Sequence, residues 1–183
     1  MPAACRQPAM MMTFWKPSIP ATTTGTCMPA KFDTYKDYRE QTLSLLQSAR
    51  ESLILFEHDF SACGLNERAT TQAMADLLAR NPAAQIRLLA RSGDFIASQC
   101  PLLLQLANLQ NQKLTMHLAN PDMPTVLMPF ILADMQRFVR RCHFDWAKGE
   151  TDDDPQEAAR LRQAFDLAWE CSIPSSDWRR LDL

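Results

Sequence analysis

Three short groups of residues carry the chemistry this chain could perform. His58 and Asp59 follow the apolar run SLILFE, Arg91 leads into Ser92, Gly93 and Asp94 after AQIRLLA, and His143 and Asp145 follow RFVRRC. An imidazole beside a carboxylate can move a proton, and a guanidinium nearby can hold an oxyanion or a phosphate. Each group falls at or just beyond the expected carboxyl end of a strand, where open α/β sheets bind ligands. A plainer reading competes with that one. His58 and His143 would then make ordinary hydrogen bonds at strand ends, and Arg91 would pair with Asp94.

Other devices are absent from the sequence. Gly25, Gly64, Gly93 and Gly149 are too far apart for a glycine-rich phosphate loop, and there is no GxSxG nucleophile elbow. Cys5, Cys27, Cys63, Cys100, Cys142 and Cys171 never fall within four residues of one another, which removes zinc-ribbon and CxxC redox readings. The acidic stretch ETDDDPQE lacks calcium-loop spacing and its turn glycine, so helix capping explains it better than a metal. No cofactor and no metal site is expected.

Bulk properties narrow the partners. Nineteen basic against 21 acidic residues give a formal charge of −2, which argues against nucleic acid or an anionic membrane as a generic partner. In RFVRR, strand alternation places Arg137, Val139, Arg141 and His143 on one face and Phe138, Arg140, Cys142 and Phe144 on the other. One or two exposed arginines beside Asp134 or Asp145, as surface ion pairs, are the expectation. No run approaches the roughly 18 apolar residues of a membrane span, and no secretory h-region is visible near the start. Reduced thiols in a cytoplasmic protein follow as the expectation.

These residues need a frame. Residues 1–32 hold five prolines and no apolar period, which predicts a flexible leader. Asp33 or Thr34 then caps a helix with Tyr35, Tyr38, Leu45, Leu46 and Ala49 on one face. SLILFEHDF (52–60) reads as a strand buried on both faces. Asn66 caps a second helix with Ala73, Met74, Leu77 and Leu78 inward, ending near Asn81 and Pro82. AQIRLLAR (84–91) is a second strand, and Pro101 opens a third helix. KLTMHLAN (113–120) is a third strand. Two antiparallel strands flank the turn at residues 133–136. A last helix has Asp154 as N-cap, Pro155 in its first turn and Glu157 completing a capping box, with Phe165, Ala168 and Trp169 in its stripe. The expected fold is a layered α/β domain over residues 33–174, a mixed sheet of about five strands flanked by helices, with a tail at 175–183.

This order resembles half of a phospholipase D-like protein, over roughly residues 48–172. In that family a strand carries His-x-Lys followed by Asp, and the next strand runs toward Gly-Ser-x-Asn. Aligning Asp134 with the family's Asp puts Leu127 at the nucleophilic His and Pro129 at the Lys, and Cys142 to Asp145 replace Gly-Ser-x-Asn. The chain also looks like a proteobacterial domain family of unknown function with this degenerate strand pair. Leucine and proline can neither attack phosphorus nor hold its oxygens. The resemblance therefore implies no catalytic residue, and a module that binds a protein partner or a phosphate-bearing ligand. Ligand-binding candidates are His58, Asp59, Arg91, Asp134, Arg141 and His143. A homodimer is a further expectation, because such sites are assembled from two halves. The alternative is a phosphate-ester hydrolase or transferase with its own His/Asp/Arg site, and a third reading is a purely structural partner of another enzyme.

Overall fold

The computed structural model describes residues 29–121 and 127–174. The expected tail, and the leader up to residue 28, lie outside the described residues. Strand β1 (Ala30–Phe32) opens the fold, where the end of the leader was expected. Helix α1 (Tyr35–Ser48) follows, capped by Thr34, whose Oγ1 accepts from the amide of Asp37 at 3.1 Å. Next come β2 (Ser52–Glu57), α2 (Arg68–Arg80), β3 (Gln85–Ala90), α3 (Asp94–Gln99) and α4 (Pro101–Leu109). Then β4 (Leu114–Leu118), β5 (Phe130–Ala133), β6 (Arg137–Arg141) and β7 (Gly149–Asp152) lead into α5 (Pro155–Glu170) and β8 (Ile173–Pro174).

The eight strands form one sheet in the order β1-β7-β6-β5-β2-β3-β4-β8. The sheet is mixed, as expected, but larger than the five strands read from the sequence. β2, β3 and β4 are parallel, and every other pairing is antiparallel. The additional strands, β1, β7 and β8, are two to four residues long, and no alternating apolar pattern marks them. β7 contains the acidic residues assigned above to capping alone. Asp154 does cap α5, accepting from Gln156 N at 3.0 Å. The N-cap of α2 is Glu67, with no side-chain cap bond, rather than Asn66.

Both faces of the sheet are covered, which is why β2 reads as an unbroken apolar run. Leu53 and Leu55 pack with Leu45, Leu46, Met74 and Leu77 of α1 and α2. Ile54 and Phe56 point the other way, into a second core with Phe130, Phe138 and Phe165. Alternation thus assigns Glu57 to the α1 side and His58 to the opposite side. Gly149 allows β1 to close the edge. A Cβ there would meet the backbone carbonyl of Arg140 in β6 first and Cζ of Phe32 at 2.5 Å, so a larger residue would disturb the seating of β7 between β6 and β1.

Candidate functional site

At the carboxyl end of β2 the apolar strand finishes in a carboxylate. Glu57 is 1% exposed and Arg141, the last residue of β6, is 2% exposed. A buried charge needs a partner, and each supplies the other's. Arg141 Nη2 lies 2.9 Å from Oε1 and 2.8 Å from Oε2 of Glu57, with Nε 3.2 Å from Oε1. Its Nη1 donates to the carbonyls of Phe144 at 2.8 Å and Trp146 at 3.3 Å. Those contacts engage every nitrogen of the guanidinium. Glu57 is satisfied as fully. Tyr38 donates its hydroxyl to Oε1 at 2.7 Å, and the amide of His58 donates to Oε2 at 3.1 Å. The expectation of surface arginines is therefore corrected: Arg141 is a core residue clamping the loop after β6. Arg140 pairs with Glu150 and Glu157.

The electrostatics follow from this burial. Burial raises the Tyr38 hydroxyl well above the usual tyrosine range, and the charge on Glu57 raises it further. The Cys63 thiol is raised for the same two reasons, burial first. For Arg141, burial acts to lower the value, but attraction and hydrogen bonds from Glu57 outweigh it and hold the guanidinium above its ordinary value. The Arg141 guanidinium is thus held in its charged form. Loss of the pair would be costly.

Beside the pair opens a cleft of about 420 Å³, with Tyr35, Arg39, His58, Asp59, Phe144 and Asp145 in its walls together with Glu57 and Arg141. The loop that carries His58 and Asp59 is held by Phe60, a fully buried residue at φ 69°. A bulky side chain in the left-handed region is strained, and burial of the ring holds it there. Asp59 Oδ1 accepts from the amide and hydroxyl of Ser61, at 2.9 and 2.7 Å.

The candidates read from the sequence divide at this point. His58, Asp59 and Arg141 meet at the cleft. Arg91 stands outside the cleft walls, its Cζ 4.3 Å from the centroid of the Phe144 ring, and His58 meets the same ring edge-on at 6.2 Å. His143 turns outward to Trp146, 5.2 Å between ring centroids, and accepts from the amide of Asp145 at 3.1 Å. Asp134 is at the opposite end of β2. Its carboxylate accepts from the amides of Arg50, Glu51 and Ser52 at 2.7 to 3.1 Å, in a turn where Asp134 and Met135 both have positive φ. It anchors a turn and is remote from the cleft. Glu57 and Tyr38 were missed. The available signal was a lone carboxylate closing an apolar run, which demands a buried cation.

Among the described residues no group of three or more His, Cys, Asp or Glu could hold a metal. No helix there is long and apolar enough to cross a membrane. The position aligned with the family nucleophile, Leu127, is 8% exposed and packs into the core on the α5 side.

Solved structures share this architecture. An archaeal chromatin protein, TrmBL2, described as having a novel mode of DNA binding, superposes with a TM-score of 0.61 at 13% identity, over 80% of this chain and 54% of that one. This chain thus spans about half of that protein. NucT from Helicobacter pylori superposes at 0.60 with 11% identity, over 80% of this chain and 98% of that one. The phospholipase D family member Nuc from Salmonella typhimurium gives 0.57 and 11%, with the same coverage of both chains. At such identities the likeness establishes the fold, which is phospholipase D-like. No curated protein matches the chain. A family model matches residues 34–181, and the chain belongs to that family, described as Domain of unknown function (DUF7931).

Proposed function

We propose that this domain is a non-catalytic interaction module that keeps a phospholipase D-like fold and uses the cleft at the carboxyl end of β2 to hold a protein partner. One observation carries the reading: the buried guanidinium beside the cleft, Arg141, has its donors committed to Glu57 and to two backbone carbonyls. A phosphoryl site needs donors aimed at the oxygens and a nucleophile in line with them. Leu127 and Pro129 offer neither, and the walls of the cleft carry three carboxylates against two guanidinium groups. That balance also disfavours a phosphate-bearing ligand and nucleic acid relative to a protein surface.

The test is turnover of bis(p-nitrophenyl) phosphate by the wild-type chain and by His58→Ala and His143→Ala. All three are expected to match buffer alone. Wild-type turnover above buffer that is lost in either variant would overturn the reading in favour of a phosphate-ester enzyme built on the strand-end residues.

A further inference from the structure

Within the cleft, the two cations are held by this chain's own acceptors, and two of the three carboxylates pair with no arginine or lysine among the described residues. Glu57 and Arg141 neutralise each other. Arg39 donates to the carbonyl of Ala62 at 3.3 Å and lies 3.8 Å from Glu67. Asp59 uses Oδ1 on Ser61, while its Oδ2 has no partner among the described residues. Asp145 lies 3.3 Å from His143 Nδ1, yet that nitrogen also accepts the amide of Asp145. The Asp145 side chain is 80% exposed, and no arginine or lysine pairs with it among the described residues.

Aromatic rings complete the walls. Tyr35 is 42% exposed and hangs from the cleft rim by a hydroxyl bond to the carbonyl of Asp145 at 3.0 Å. Phe144 lies in the wall, and Trp146 beyond it is 64% exposed. The two wall rings already receive guanidinium groups of this chain. Arg91 stacks on Phe144, and Arg141 approaches Tyr35 with Cζ 5.9 Å from the centroid. Rings that accept a guanidinium on one face present a second face of the same quadrupole.

From this geometry we infer that the cleft accepts an arginine side chain from a basic peptide segment of a protein partner. The inference rests on the interaction-module reading and specifies the partner. A planar guanidinium suits the site better than an ammonium, because it can stack on Tyr35 or Phe144 while bonding the carboxylates of Asp59 and Asp145. A peptide suits it better than a free small molecule because the exposed Tyr35 and Trp146 widen the rim into a surface of the composition that protein interfaces favour.

Calorimetric titration of the whole chain with an acetylated, amidated Gly-Arg-Gly-Arg-Gly peptide tests this, with Lys and Glu peptides of the same design as comparisons. The arginine peptide is expected to bind, the lysine peptide more weakly, and the glutamate peptide not at all. Asp59→Asn and Asp145→Asn should each weaken binding by up to about fivefold, the upper end for an exposed ion pair. A double variant, Glu40→Gln/Asp76→Asn, removes two charges elsewhere and should leave affinity unchanged. The inference is overturned by no binding at millimolar peptide, by equal binding of the glutamate peptide, or by equal weakening in the control variant. Those outcomes leave the non-catalytic reading intact, since only phosphodiester turnover bears on it.

Discussion

Replacing Arg141 by alanine should be among the most damaging single changes available to this domain. The substitution removes three contacts to Glu57 at 2.8, 2.9 and 3.2 Å and two bonds to the carbonyls of Phe144 and Trp146. It leaves a carboxylate of 1% exposure with only the Tyr38 hydroxyl and the His58 amide as donors. Breaking a buried pair from one side costs about 3–5 kcal/mol, mostly the price of the stranded charge. That is a large fraction of the roughly 5–15 kcal/mol that stabilises a domain. Glu57→Gln/Arg141→Met strands no charge, so it should cost less than the sum of its single changes, with a coupling of about 0.5–3 kcal/mol. Urea unfolding with linear extrapolation measures all of these. A cost below about 1 kcal/mol for Arg141→Ala would equal that of a surface ion pair and would refute the burial argument.

Three other outcomes are expected. Gly149→Ala should destabilise the domain, because its Cβ would strike the Arg140 carbonyl and the Phe32 ring; hydrogen exchange at β1, β6 and β7 should rise, and unchanged protection would count against the clash. Asp154→Ala should cost about 0.5–2 kcal/mol in the same urea assay, the range for a lost N-cap, and a neutral result would remove that role. His117 is shifted down by burial, so its neutral form is favoured in the fold; the stability this contributes is present above the ordinary histidine pKa of about 6.5 and is lost as pH falls through the lower folded value. His117→Gln should flatten that acid-side loss, and an unchanged profile would assign it elsewhere.

Signals within a few residues of one another were legible in the sequence. The Thr34 cap, the Asp154–Pro155 start of α5 and the unbroken run of β2 all depend on neighbours along the chain. What depended on distant pairing was not. β7 is a strand because Gly149 to Asp152 sit between β1 and β6, although the segment itself is half acidic. The alternation of RFVRR correctly set Arg141 on the side of Val139, yet nothing local said that this face is buried. The partner that makes burial tolerable, Glu57, is 84 residues away. Asp134 shows the reverse case. Its place in a motif pointed to ligand binding, whereas three backbone amides at the start of β2 occupy it.

The pairing of β1 with β7 has a consequence for how the chain can fold as it is made. Phe32 finds its place only opposite Gly149, so the first strand has no template until the last third of the domain has been synthesised. β2 likewise waits for β5 on one side, although β3 reaches it sooner on the other. Contacts this distant in sequence form slowly, because the loop must close before any pairing rewards it. The α1–β2–α2–β3 portion can gather first around the α1-side core. Until residue 149 emerges, however, the charge on Glu57 has no Arg141 in place or only a newly arrived one, and a ribosome-bound nascent chain truncated before residue 141 should hold β2 with a frayed end.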